Sequence, residues 1–194
     1  MAKKREINTG EVAANNAIKI VRVLWNYAAD RAPDIGANPV RLRKLWYPVK
    51  ARTGHLGAED LPKFYNAVMD LNNAVGRDYL LLLLFTGLRR REAAGLRWAD
   101  VDLKAKTLRI PQTKSNRPLT LPLSDFVHDM LVARRAFGNA EFVFPAASKS
   151  GHIAEPKFFL AQVAKAGGAR VSVHDLRRTS SAYRVTVSCI LSAA

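Results

Sequence analysis

A short cluster near the end of the chain, His174-Asp175-Leu176-Arg177-Arg178-Thr179, combines an imidazole and a guanidinium three residues apart. Residues at this spacing share one face of an α-helix, so His174 and Arg177 can both donate hydrogen bonds to a single phosphate. A second cluster, Thr86-Gly87-Leu88-Arg89-Arg90-Arg91-Glu92, lies far upstream, and Lys114 lies between the two. These residue types in this pattern are suited to chemistry at a phosphodiester.

Arg89 has the best context for a site within the upstream cluster. Gly87 permits a tight turn after the apolar run at 80–85, so that the next side chains can point into a cleft. Glu92, three residues further on, can orient the guanidinium of Arg89 as a hydrogen-bonding partner. The competing interpretation is a solvated run of arginines, with an ordinary Arg89–Glu92 ion pair that contributes roughly a few tenths of a kcal/mol.

Hydrophobic periodicity predicts the elements that must position these residues. The pattern predicts helices over residues 11–31, 59–71, 77–85, 89–98, 125–137, 157–165 and 175–185, with Pro33 ending the first and Ser124 capping the one at 125–137. Two β-prone pieces, 107–110 and 118–121, flank a polar segment and predict a hairpin whose long tip carries Lys114. A buried turn or strand is predicted at 142–144. The predicted fold class is therefore mainly α with a small antiparallel β-hairpin or sheet, an α+β arrangement.

The composition indicates a globular protein with a polyanionic partner. The 194 residues are 48% hydrophobic, enough for one good core or two small ones, and 31 Lys and Arg against 16 Asp and Glu give a formal net charge of +15. Nucleic acid is the first candidate for the partner. The apolar run at 80–85 is far too short to cross a membrane, so we predict no membrane partner.

Cysteine and histidine usage favours a site without metal or cofactor. The single Cys189 excludes an internal disulfide and a cysteine-based zinc site, and His55, His128 and His152 are scattered without metal-ligand spacing. The first residues lack the apolar stretch of a signal peptide, which favours a reducing cytoplasm. We therefore predict no metal ion, no cofactor and a cytoplasmic location.

A basic connector predicts the boundary between two regions. Residues 38–54 contain two prolines and five basic residues, with Trp46 and Tyr47 interleaved. The predicted regions are 1–52, a partial helical region with its basic linker, and 53–194. The connector is either a basic strap against a DNA backbone or a solvated linker whose aromatics pack on a neighbouring domain. Its candidate DNA-binding residues are Arg41, Arg43, Lys44, Lys50 and Arg52.

The motifs, in their order, resemble those of the tyrosine recombinase, or phage integrase, family. The resemblance rests on the two clusters above with Ala93, Gly95-Leu96-Arg97-Trp98, Thr113-Lys114 and Leu121-Pro122-Leu123, and it spans about residues 56–179. It implies a tyrosine recombinase catalytic domain whose partner is double-stranded DNA. The helix at 11–31 and the following Asn38-Pro39-Val40 are similar to the end of the family's core-binding domain, a helical module that completes a clamp around DNA.

The resemblance implies a role for each matching residue. Arg89 and Arg177 correspond to the arginines that grip the non-bridging oxygens of the scissile phosphate. Lys114 corresponds to the hairpin lysine that protonates the departing 5′-hydroxyl, and His174 to the histidine that binds the phosphate or accepts the nucleophile's proton. Taken without the resemblance, Lys114 is a surface lysine and His174 a helix-start histidine with no task. Four arginines outside these positions are predicted to contact the DNA backbone or to form salt bridges: Arg90, Arg91, Arg97 and Arg178. Arg117 is a further candidate DNA-binding residue.

The family completes its site with a second His or Trp and a nucleophilic tyrosine, and this sequence matches neither. After Thr179 the chain contains no Leu-Gly-His motif and a single tyrosine, Tyr183, six residues from Arg177 and near the opposite side of the predicted helix. We therefore expect a C-terminally truncated domain, through a frameshift or premature stop, that binds DNA and the scissile phosphate but does not cleave alone.

Three functions remain open at this point. The first is site-specific DNA recombination or integration by descent, with this copy inactive alone and acting with other recombinase protomers. The second is a DNA-binding module without chemistry, which competes for recombination sites or co-assembles there. The third is a basic structural or RNA-associated protein.

Overall fold

The computed structural model describes residues 9–40, 46–48, 54–113, 117–138 and 140–183. The connector residues Arg41, Arg43, Lys44, Lys50 and Arg52, and the hairpin residue Lys114, lie outside these ranges. The chain divides into two compact units, residues 1–53 and 54–194.

The first unit is built on one long helix, α1 (Thr9–Ala29), followed by a 3-10 turn, Pro33–Ile35. Asn15 is buried and fastens the chain at Tyr47, because its Nδ2 donates to the Tyr47 carbonyl at 2.9 Å and its Oδ1 accepts from the Tyr47 amide at 3.0 Å. The helix confirms the predicted one at 11–31. Its apolar stripe is not buried, however: Ile20 and Leu24 are each 60% exposed.

The second unit is organised around helix α3 (Ala74–Thr86). The five consecutive leucines 80–84 are all buried, so this helix is covered on every side rather than on one stripe. Helices α2 (Asp60–Met69), α5 (Asp125–Ala136) and α7 (Val173–Ala182) pack against it, and α6 (Lys157–Lys165) packs on α2. All of these helices lie where the sequence predicts them.

Side-chain caps define several of the helix ends. Asn73 accepts a hydrogen bond from the amide of Gly76 at the start of α3, and Ser124 accepts from Val127 at the start of α5, as predicted for Ser124. Gly87 ends α3 in the left-handed conformation, with φ of 63°. The chain is thereby turned sharply just before Arg89.

A small antiparallel sheet lies beside the helices. Its order is β1 (Val101–Asp102), β2 (Thr107–Ile110), β3 (Leu119–Pro122), and β2 pairs with β3 so that Leu108 faces Leu121. Leu108 and Ile110 turn inward to the core. The hairpin is confirmed, and the mainly α fold with a small antiparallel sheet is the predicted class.

The predicted helix at 89–98 is wrong in its second half. Helix α4 runs only over Arg90–Ala94, and a 3-10 turn, Trp98–Asp100, follows. Between them the backbone leaves the helical path, because Leu96 accepts a hydrogen bond from Val143 at 2.9 Å and the Trp98 amide donates to Glu141 at 3.1 Å. These bonds hold the segment at 142–144, where Val143 and Phe144 are buried as predicted.

Candidate functional site

The turn between α3 and α4 presents Arg89. This residue stands immediately before α4 in an extended conformation, and its side chain is 44% exposed. The carboxylate of Glu92 accepts two hydrogen bonds from Arg89, one from the backbone amide and one from Nη1, each at 2.9 Å. The Glu92 side chain is nearly buried, so it holds Nη1 of Arg89 in a fixed position. The rest of the Arg89 guanidinium remains open to solvent.

Helix α7 brings Arg177 to the same turn. Nη1 of Arg177 donates a hydrogen bond of 2.7 Å to the carbonyl oxygen of Gly87, 90 residues earlier in the sequence. Gly87 lies two positions before Arg89. This hydrogen bond therefore brings the two arginine clusters together in space. The sequence alone does not show which atoms make the contact.

Gly87 is needed at this junction for two reasons. Its positive φ is a conformation that side chains with a Cβ rarely adopt. A Cβ at this position would also lie 2.9 Å from Oγ of Ser180 on α7, closer than van der Waals contact allows. The absence of a side chain lets α7 approach the end of α3 and puts Arg177 within reach of the Gly87 carbonyl.

His174 lies in the first turn of α7 and is exposed. It stands three residues before Arg177, so both side chains leave the same face of the helix. Ser172 caps the helix and forms a reciprocal pair with Asp175, since the Ser172 amide donates to Oδ2 of Asp175 at 3.0 Å. The cap fixes the first turn, and with it the direction of His174.

Asp175 is the acidic residue of this cluster. Partial burial raises the pKa of its carboxyl group, but hydrogen bonds from the Ser172 amide and hydroxyl, with the positive charges of Arg178 and His174, outweigh burial and hold the pKa below its ordinary value. Arg178 lies 3.4 Å from Oδ1 of Asp175. Asp175 therefore stays ionised and caps the start of α7 together with Ser172.

Two arginines predicted to contact DNA form ion pairs within the protein. Arg90 binds Glu155 and the carbonyl of Ala154, each at 2.9 Å, and Arg178 pairs with Asp175. Arg117 is exposed, and its carbonyl accepts from the Thr113 hydroxyl at 2.8 Å, which closes the base of the hairpin that carries Lys114. The structure thus realises the salt-bridge alternative for Arg90 and Arg178, and contact with DNA stays a prediction for all three.

Sequence reasoning missed two buried hydroxyl groups that support the site. The hydroxyl of the fully buried Tyr79 donates to the carbonyl of Arg90 at 2.9 Å, and burial raises the pKa of this phenol. Thr179 accepts a hydrogen bond from the amide of Leu56 at 2.9 Å. In the sequence Tyr79 is one more apolar residue of a buried helix, so only tertiary structure reveals its partner.

Tyr183 is the tyrosine nearest to Arg177 in the sequence. It ends α7, its ring packs on the hydrophobic core, and its ring centroid lies 6.4 Å from that of His55.

In the described part of the chain, no three His, Cys, Asp or Glu residues are grouped to hold a metal ion. None of the described helices combines the length and hydrophobicity needed to cross a membrane.

Comparison with known proteins identifies the family. The profile of the phage integrase family matches residues 55–184. The chain belongs to the phage integrase family. The match covers the arginine turn, the hairpin and helix α7, so the resemblance noted from the sequence motifs is confirmed for the tyrosine recombinase catalytic domain.

Two integrases of Escherichia coli strain K12 are similar to the chain. Prophage integrase IntF is 35% identical over 156 residues, which cover 74% of this chain and 32% of that protein. Prophage integrase IntA is 30% identical over 139 residues, covering 69% of this chain and 34% of that protein. The chain thus spans about a third of the length of these two phage integrases.

Solved structures share the fold. A dimer of lambda integrase residues 75–356 bound to a COC′ core site matches with a TM-score of 0.72 at 19% identity, covering 93% of this chain and 70% of that chain. The Tn1549 transposon integrase in complex with transposon right end DNA matches with a TM-score of 0.74 at 16% identity, covering 90% of this chain and 66% of that chain. At these identities the likeness establishes the integrase fold.

Proposed function

We propose that this chain binds duplex DNA and holds one backbone phosphate at the turn where Arg89 and Arg177 meet, as part of site-specific recombination or integration. The observation that carries the proposal is the 2.7 Å hydrogen bond from Arg177 to Gly87, two residues from Arg89. Two guanidinium groups at one turn offer paired N–H donors to the non-bridging oxygens of a phosphate. A net charge of +15 favours a polyanionic partner of this kind.

In this proposal His174 is the third phosphate ligand. Its position one turn before Arg177 aims the imidazole at the same group, where it donates a hydrogen bond or takes up a proton. Glu92 orients Arg89 through its two hydrogen bonds. Lys114, which follows β2 in the sequence and lies outside the described residues, is the proposed proton donor to the leaving oxygen, since an ammonium on a flexible stem can follow that atom.

We propose further that this chain does not form a covalent link to DNA by itself. It has five tyrosines, and none suits the attack: Tyr79 is buried with its hydroxyl bound to Arg90, Tyr65 packs against Phe126, Tyr183 packs on the core, and Tyr27 and Tyr47 belong to the first unit. Without an attacking phenol at the phosphate, two arginines position the group but do not break it.

Assembly with other recombinase protomers on DNA completes the proposal. The structural neighbours include a lambda integrase dimer on a core site and a lambda integrase tetramer on a Holliday junction. A second candidate function, favoured by the placement of the tyrosines, is a non-catalytic DNA-binding module that competes for recombination sites or co-assembles there with an intact enzyme.

A nicked suicide duplex tests the proposal. We expect a complex with duplex DNA whose affinity falls about a thousandfold between 50 and 200 mM salt if about six phosphates are neutralised. We expect no covalent adduct on a denaturing gel. An adduct would contradict the proposed lack of cleavage, and its loss in Tyr183→Phe would identify the nucleophile. An affinity that does not respond to salt would overturn phosphate binding, and a preference for structured RNA would favour an RNA-associated protein.

A further inference from the structure

A groove runs between α4 and strand β2, and Glu92 is part of its lining. It encloses about 490 Å³, with Arg91 and Glu92 on the α4 wall and Arg109 and Ile110 on the strand. Its size suits a phosphodiester with part of its flanking sugars. Because Glu92 also binds Arg89, the groove begins one side chain away from the proposed phosphate site.

The arginines that line this groove differ in whether a carboxylate of the described residues pairs with them. Arg91 and Arg109 are both exposed, and within the described residues neither guanidinium forms an ion pair or a side-chain hydrogen bond. Arg97, also in the lining, is held by Glu141 at 2.7 Å. Two arginines are therefore available to an external ligand.

The carboxylates of the lining do not cancel these two charges. Glu92 is engaged by Arg89 through both of its oxygens. Asp100 is the other acidic residue of the lining, and it is half-buried in the turn after α4. One carboxylate against two unpaired guanidinium groups leaves the groove positively charged, which favours an anionic ligand.

We propose that Arg91 and Arg109 bind a second phosphate of the same DNA strand, next to the phosphate at Arg89. This inference rests on the proposed function. Successive phosphates of one strand are separated by about 3.4 Å of helix rise, so a strand held at Arg89 presents its next phosphates to an adjoining basic groove. Arg90 and Arg178 are less available for such contacts, because each already binds a carboxylate.

The salt dependence of binding to a non-specific duplex tests this proposal. Because the two arginines share one phosphate, we expect the double variant Arg91→Gln/Arg109→Gln to reduce the slope of log K against log salt by about 0.9, and each single variant to reduce it by no more than that. Lys165→Gln is the matched control, since it removes one exposed positive charge at the end of α6, outside the groove, and should leave the slope unchanged. Thermal unfolding of each variant checks that the fold is intact.

The outcomes separate this inference from the proposed function. If the unaltered chain does not bind duplex DNA, the proposed function fails and the inference fails with it. If the chain binds DNA and the double variant keeps the full slope, only the role of the groove is overturned. A double variant that keeps its slope but changes the mass of the protein in sedimentation would also overturn it, because the groove would then bind another copy of the chain.

Discussion

The side-chain hydroxyl of Thr179 links the two ends of the second unit, accepting a hydrogen bond from the Leu56 amide at 2.9 Å and donating one to the carbonyl of Asp175 at 2.8 Å. Thr179 is fully buried, and so is Leu56. The first described residues of this unit are thus tied to α7, the helix that carries His174 and Arg177.

Replacing Thr179 with valine should lower the free energy of unfolding by about 1–3 kcal/mol. Valine keeps the shape but leaves the buried Leu56 amide without an acceptor. Urea unfolding measures the change, and Ser181→Ala is the control, since the Ser181 hydroxyl is exposed and bonds to the Arg177 carbonyl at the surface. A Thr179→Val protein as stable as the parent would show that the Leu56 amide finds another partner.

Gly87→Ala should destabilise the protein by at least about 1 kcal/mol, because alanine must adopt the left-handed conformation and meet Ser180. Adding Ser180→Ala should recover the part of the lost stability that comes from the close contact with the Ser180 hydroxyl. It should not recover the part that comes from the left-handed φ. Gly57→Ala is the control, since its Cβ would meet nothing within 4 Å. Thermal unfolding of the parent, Gly87→Ala, the double variant and Gly57→Ala measures these differences. Equal melting temperatures for Gly87→Ala and Gly57→Ala would contradict the proposed need for glycine at position 87.

Asp78 and Arg134 form a buried ion pair in the second unit, at 2.7 Å with side-chain exposures of 8% and 10%. Arg134 also donates to the carbonyls of Val143 and Ala74. Arg134→Met should destabilise the protein by up to about 3 kcal/mol, because it leaves the buried Asp78 carboxylate with Arg77, at 3.0 Å, as its remaining charged partner. The double variant with Asp78→Leu should cost less than Arg134→Met alone.

Chemical denaturation of these variants tests the pair. Lys106→Met is the control, since it breaks the exposed pair with Asp125 and should change stability little. If Arg134→Met and Lys106→Met behave alike, the buried pair does not hold α5 to α3.

Asp175 should make stability depend on pH. Its pKa is lower in the folded protein than in the unfolded chain, so its contribution is complete above the ordinary carboxyl range and is lost as pH falls through the lower, folded-state pKa. Asp175→Asn should therefore cost about 0.3–1 kcal/mol at pH 7, with the difference from the parent shrinking in acid.

Unfolding measured at several pH values between 3 and 7 provides the test. Asp60→Asn is a matched control, because Asp60 also lies in the first turn of a helix but its carboxylate forms no side-chain hydrogen bond among the described residues. A constant difference between Asp175→Asn and the parent across this range would assign the effect to packing rather than to charge.

The sequence predicted the elements whose signals are local. The periodic apolar residues of α2, α5 and α6, the cap at Ser124 and the hairpin strands all follow from spacing and residue type within a short window. The helix at 89–98 failed because Leu96 and Trp98 take their backbone partners from Val143 and Glu141, more than 40 residues away. No local pattern contains that information.

The candidate site divides in the same way. The order of the motifs was sufficient to select Arg89, His174 and Arg177, and the spacing of Arg89 and Glu92 was sufficient to anticipate their hydrogen bond. The Gly87 carbonyl and the Tyr79 hydroxyl were not found, because one is a backbone atom and the other lies among leucines. The unpaired state of Arg91 emerged only when its neighbours were found bound to carboxylates.

The all-round burial of α3 has a consequence for biosynthesis. Helix α7, the last helix in the described chain, covers part of the α3 leucines. A nascent polypeptide that has not yet emerged from the ribosome past residue 182 therefore exposes this part of the hydrophobic surface of α3. The arginine turn therefore closes only after α7 has been synthesised. Until then the leucine run is a surface for molecular chaperones to shield.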